Sequence, residues 1–208
     1  MELIEQIQEE LKEEELRSYI VSPLLKTLAS KNEEKASSNN KDELVEAYAI
    51  YVFIAETYTR MVRMSIAGIY NYKALGVAKR LYQQYNFGFS NISEVFRNTL
   101  RDRNFYVDDD CLDVLSLVKE AGFIEEDKVN TIYNSRMKRR RGLKNDPIEM
   151  SEEYLSVIDE VEEKIANNRT IYGMGACHEV WALKEQYLLE KGIVWKSPAR
   201  LNPGVMFD

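Results

Sequence analysis

Cys177 and His178 stand side by side at the start of an expected helix, and His178 is the chain's single histidine. Unpaired amides at a helix N-terminus lower a thiol's pKa, which is the chemistry of an activated nucleophile. Adjacent helical positions, however, point about 100° apart around the axis. A working dyad therefore needs irregular backbone, and the pair reads first as structural. One histidine and two distant cysteines, Cys111 and Cys177, leave a tetrahedral zinc set incomplete. Gly173-Met174-Gly175 before a helix offers free amides to a phosphate, but the strand and third glycine of a dinucleotide fingerprint are missing. Asp108, Asp109, Asp110 and Asp113 lack the alternation, the glycine and the closing glutamate of a calcium loop. They read as acidic residues favoured by a helix dipole. No metal site and no cofactor is expected.

The most unusual feature is basic. Arg136, Lys138, Arg139, Arg140, Arg141 and Lys144 place six cations in nine residues of a chain whose net charge is −7. Such a run neutralises phosphates, docks an acidic protein surface, including the chain's own acidic N-terminal segment, or is simply a solvated turn. Tyrosines crowd one region, with Tyr48, Tyr51, Tyr58, Tyr70 and Tyr72 close in sequence. Core packing with peripheral hydroxyls is the first reading, and an exposed aromatic patch for a partner is the second. Near the C-terminus His178, Trp181 and Lys184 or Glu185 share a helix face at three and four spacing. The tail can fold back over that face, so His178, Trp181 and Trp195 outline a second candidate groove.

The elements that position these residues are helical. Four prolines, nine glycines and long stretches rich in Leu, Glu, Lys, Ala and Arg give an all-α multi-helix bundle. Residues 2–16 form an acidic helix with the narrow stripe Leu3, Ile4, Ile7 and Leu11. Pro23 fits the first position of a second short helix. Residues 30–41 are polar and rich in Ser and Asn, which reads as a loop. The expected division is an acidic helical arm over 1–30, a polar linker over 31–41 and a helical body over 42–208.

Asp42 caps a long apolar helix running to about Tyr70, the central one of the bundle. Residues 72–85 continue helical until Asn86-Phe87-Gly88. Asn91 and Glu94 have capping-box spacing for a helix to about Arg103. The acidic triplet at 108–110 opens a helix ending at Gly122, and 125–127 opens another that enters the basic run. Ser151 caps a helix with Tyr154, Leu155, Ile158, Val161 and Ile165 on one face. Gly192 stops the helix over 176–191. The irregular apolar tail is expected to pack.

Composition limits the setting. The strongest apolar run, 45–55, is interrupted by Glu46 and closed by Glu56, whereas a bilayer span needs about 20 nearly uncharged residues. The acidic start lacks the positive n-region of a secretory signal. Two cysteines make no disulfide framework. A cytoplasmic setting without membrane contact is expected, and the net charge disfavours a protein that coats nucleic acid with its whole surface.

The run Leu100-Arg101-Asp102-Arg103-Asn104-Phe105-Tyr106-Val107-Asp108 resembles the Arg-Asn-x-x-x-His motif of HEPN domains. Residues 119–165, with Ala121-Gly122-Phe123-Ile124, are similar to the nucleotidyltransferase-partner branch of that family. The resemblance implies a helical bundle of a family in which many members cleave RNA without metal or act in toxin and defence systems. Asp108 stands where the motif has histidine, so the resemblance implies that Arg103 and Asn104 bind rather than cleave. The C-terminal run with His178, Trp181 and Lys184, then Gly192 to Ala199 and Leu201 to Asp208, resembles endings of uncharacterised bacterial and phage proteins, which implies a source and no activity.

The sequence therefore points to a non-enzymatic interaction protein that engages a protein or nucleic-acid partner through the basic segment or an aromatic face. The alternative is a HEPN-like RNA-processing or defence enzyme with a departed motif, built on Arg103, Asn104 and Asp108. Self-association through the acidic N-terminal stripe is a third expectation.

Overall fold

A computed structural model of the chain describes residues 2–12, 18–103, 110–138, 143–167 and 176–207. Among these, the elements are α1 (Glu2–Glu10), α2 (Ser18–Ser37), α3 (Lys41–Arg60), α4 (Met64–Tyr85), α5 (Ile92–Arg103), α6 (Asp110–Ala121), α7 (Glu126–Lys138), a 3-10 turn at Pro147–Met150, α8 (Glu152–Asn167), α9 (Ala176–Glu190) and α10 (Pro198–Leu201). The fold is an all-α multi-helix bundle. No helix among the described residues is long and apolar enough to cross a membrane.

The first helices depart from the reading of arm and linker. Ile7, Val21 and Leu25 are fully buried in the main core beside Leu44, Ile54 and Leu75. The acidic stripe helix thus spends its apolar face on the bundle. The stretch expected as a loop is helical through Ser37. Its polar composition is overridden by tertiary contact, because Asn32 is buried and its Nδ2 donates to the Ala47 carbonyl at 3.0 Å. Pro23 lies inside α2 and not at its first position.

The long central helix is two helices. α3 is capped by Asn40, whose Oδ1 accepts from the amides of Asp42 and Glu43 at 2.8 and 3.3 Å, while Asp42 sits in the first turn. The helix stops at Met61, and Val62 takes φ of +60°, a left-handed conformation that a β-branched side chain rarely adopts. Nothing in the sequence marks this break, since neither Gly nor Pro stands there. Its structural result is to turn Arg63 inward.

α4 then runs through Gly68 to Tyr85 and ends on Asn86 in the left-handed conformation. Gly68 allows a close crossing with α5: a Cβ there would lie 3.1 Å from Arg103 Cγ and 3.2 Å from Asp102 Cβ. The capping-box expectation at α5 is corrected, because Asn91 Oδ1 accepts the Tyr48 hydroxyl at 2.8 Å. Gly122 and Gly192 have positive φ, as their expected helix-ending roles require.

A second apolar cluster joins Tyr154, Ile158 and Val161 of α8 to Tyr187 and Leu188 of α9, Ile193 and Trp195. Between it and the main core lies a polar seam. Arg63 donates to Asp159 at 2.5 Å and to Glu162. Lys26 donates to Asp159 at 2.6 Å and to the Leu155 carbonyl at 2.7 Å. Ser18 donates to Glu162 at 2.6 Å, and Ser22 links Asp159 to the Tyr58 hydroxyl at 3.1 and 3.0 Å. The Tyr58 hydroxyl is therefore internal, which corrects the expectation that the tyrosine hydroxyls lie at the periphery. Burial raises its pKa and pushes that of Tyr70, stacked on it at 5.8 Å, up to about 12.

Candidate functional site

The last residue of the basic run is held against the C-terminal segment by a reciprocal clamp. The Lys144 amide donates to Asn202 Oδ1 at 2.7 Å, and Asn202 Nδ2 donates back to the Lys144 carbonyl at 2.8 Å. Asp146 caps the 3-10 turn by accepting from the Ile148 amide at 3.1 Å, and its other oxygen accepts from the Lys196 amide at 2.7 Å. Glu185 of α9 takes the Ser197 amide and the Arg200 guanidinium, both at 3.2 Å. Each carboxylate or amide fixes backbone that would otherwise be irregular.

These bonds bring Lys144, Lys196 and Arg200 around one groove of about 720 Å³, with Val194, Leu201 and Pro203 between the cations and Trp195 beneath. Trp195 is 4% exposed and its Nε1 donates to Glu149 Oε1 at 2.7 Å. Its ring is a floor whose polar edge is already satisfied. Lys184 lies behind it, with Nζ 4.7 Å from the Trp195 ring centre and 5.4 Å from that of Tyr154. Burial lowers the Lys184 pKa against the opposing charges of Glu149 and Glu162. Among the described residues, no carboxylate pairs with the Lys144 or Lys196 side chain. Val194 is 70% exposed, so the surface mixes cations with uncovered apolar area.

Lys144 is the one basic-run residue that lines this groove among the described side chains. Arg136 lies on α7, where its charge reaches Asp102. Lys138 closes α7, and Arg139, Arg140 and Arg141 lie outside the described residues. The C-terminal trio divides. His178 Nε2 is 3.3 Å from the Phe207 carbonyl oxygen, and the Trp181 ring meets His178 and Phe207 edge-on at 5.3 and 5.1 Å. The tail does fold back over α9, where Trp181 meets Phe207 and also packs on the apolar cluster that contains Trp195, while Trp195 itself lines the basic groove. Cys177 is partly buried, and the glycines at 173 and 175 lie outside the described residues. No group of three or more His, Cys, Asp or Glu among the described residues is placed to hold a metal ion.

The Arg103 region forms a separate polar centre. The Arg103 guanidinium lies over the Tyr72 ring at 4.6 Å, while Asn104 and Asp108 lie outside the described residues. Asp102 is fully buried and accepts from Arg101 Nε at 2.5 Å, Arg101 Nη2 at 3.1 Å and Asn71 Nδ2 at 3.4 Å. Burial raises its pKa, against the bonds and charge of Arg101, the bond from Asn71 and the charge of Arg136. Beside it, between α3, α4 and α5, is a pocket of about 130 Å³ lined by Glu56, Thr59, Asn71, Glu94, Asn98 and Arg101 among others.

Sequence reasoning passed over Lys196 and Arg200. The available signal was their spacing of four across the Ser197-Pro198 helix start, which sets Lys196 just before α10 and Arg200 in its last turn. It also passed over Arg63, Asp159 and Asn71, whose partners are distant in sequence. The chain matches no protein-family model, and no curated protein or solved structure is significantly similar to it.

Proposed function

We propose that this chain is a non-enzymatic interaction protein whose basic C-terminal groove takes an acidic segment of a protein partner. The observation that carries the reading is the convergence of Lys144, Lys196 and Arg200 on one concave surface of a chain with net charge −7. Local cations on an acidic body select a partner by complementarity at close range. Exposed Val194, with Leu201 and Pro203 in the same lining, favours a segment that carries apolar residues between its acids. A nucleic acid fits less well. Its phosphates would meet the long-range repulsion of the body, and Trp195, buried and bonded to Glu149, offers no open face on which a base could stack.

The test is fluorescence anisotropy with a labelled peptide of alternating Glu and Leu, a labelled single-stranded RNA and a labelled DNA duplex. The reading expects saturable peptide binding that weakens with salt and is lost in the Lys144→Glu, Lys196→Glu, Arg200→Glu triple variant. RNA or DNA binding tighter than the peptide would replace it with a nucleic-acid function. Cleavage of the RNA during the assay, abolished by Arg103→Ala, would instead establish the HEPN-like alternative.

A further inference from the structure

A second site lies between α1, α2 and α3, on residues separate from the basic groove. Leu3 and Ile4 of α1, Leu28 of α2 and Ile50 of α3 wall a cavity of about 440 Å³, within the roughly 300–1,000 Å³ usual for small-molecule sites. Asn32 belongs to the same lining and is 1% exposed. Its Nδ2 is committed to the Ala47 carbonyl at 3.0 Å, which fixes the sense of the amide. Its Oδ1 is buried and accepts no hydrogen bond. A buried acceptor left without a donor is costly, so a ligand N–H or O–H supplied there relieves a cost that the chain otherwise carries alone.

The rim has the opposite need. Lys35 is paired with Glu46, whereas Lys31 and Gln6, which complete the lining, are exposed and have no acceptor among the described residues. The complementary ligand therefore combines an apolar body for the aliphatic walls, one donor for Asn32 Oδ1 and an anionic group for Lys31. We propose that this cavity binds a small apolar organic acid with a single N–H or O–H donor, of the indole or phenol carboxylate kind, its donor on Asn32 Oδ1 and its carboxylate at Lys31. A saturated fatty acid has the body and the charge but lacks the donor. A polyamine has donors but the wrong charge for Lys31.

Calorimetric titration of the full chain at constant ionic strength tests this, with indole-3-acetate and 4-hydroxyphenylacetate as probes. Saturable binding of at least one is expected. Its donor-blocked counterpart, 1-methylindole-3-acetate or 4-methoxyphenylacetate, should bind about tenfold more weakly, the worth of one buried hydrogen bond. Lys31→Glu, at an exposed position, should weaken binding of the acid. Asn32→Leu should bring the free and donor-blocked acids to equal affinity. The ligand pair probes the same bond in the unaltered chain, so the test stands even if that variant fails to fold. Absence of saturable binding by both probes, equal affinity for the free and blocked acids in the unaltered chain, or undiminished affinity in Lys31→Glu would overturn the proposal.

Discussion

Arg63 and Asp159, 96 residues apart in sequence, meet through a hydrogen bond of 2.5 Å at the seam between the two apolar clusters. Arg63 is 9% exposed, and the turn that aims it passes through a left-handed valine. The seam is therefore held by charges taken out of water, a design in which breaking the pair costs more than never having built it.

Replacing Arg63 by Met should show that asymmetry. Asp159 and Glu162 would keep Lys26 and Ser18 but lose the guanidinium they share, and stability should fall by about 2–4 kcal/mol. Urea denaturation measures this. Adding Asp159→Leu to Arg63→Met should recover part of the loss, because the stranded carboxylate is then removed; a further additive loss would speak against the seam as described.

Acid should act on the same seam. Burial alone would raise the Asp159 carboxyl, but the charges and hydrogen bonds of Arg63 and Lys26 outweigh it and hold the pKa below its ordinary value. A carboxyl depressed in the folded state contributes stability above its unfolded pKa, and that contribution is lost as pH falls through the folded value. The wild type should therefore lose stability steeply below about pH 4. Asp159→Asn should be less stable at neutral pH and show a shallower acid limb.

Asp102 has the opposite sign. Its folded pKa is raised, first by burial, so its contribution is present below the unfolded value and is lost as pH rises through the folded one. Relative to Asp102→Asn, the wild type should lose stability as pH climbs above the ordinary aspartate range. Parallel stability curves for the two proteins across that range would contradict the burial argument.

Val62 is 78% exposed with φ of +60°. Its side chain contributes little packing, whereas a strained non-glycine residue costs on the order of 1–3 kcal/mol. Val62→Gly should stabilise the chain by about 1 kcal/mol after the added unfolded-state freedom of glycine is subtracted. Thermal unfolding would register the gain; a loss would mean that the valine is not strained.

The legible parts of the structure were those written in local pattern. Helical periodicity, Gly122 and Gly192 at helix ends, the Tyr154, Ile158 and Val161 face and the returning tail all rest on residues within a few turns of one another. The missed parts depend on long-range contact. The break at 61–63 lacks a glycine because tertiary bonds from Arg63 stabilise it, and 30–37 is helical because Asn32 reaches Ala47. The groove was half legible: Lys144 belonged to a visible basic run, while Lys196 and Arg200 join it only through Asn202, Asp146 and Glu185. Trp181 and Trp195 share one apolar cluster, yet Trp181 also meets the tail at Phe207 while Trp195 lines the basic groove, a detail that spacing along α9 does not reveal.

An acidic segment is proposed to dock beside Trp195, and the two indole N–H groups, of Trp195 and Trp181, report on that surface and on the tail contact respectively. Titrating the labelled full chain with the Glu/Leu peptide, while following the two indole N–H resonances by NMR, should shift Trp195 saturably together with the Lys144 and Lys196 amides and leave Trp181 in place. A saturable shift of Trp181 with Trp195 unmoved would contradict the account and transfer the docking surface to the His178 and Phe207 clasp.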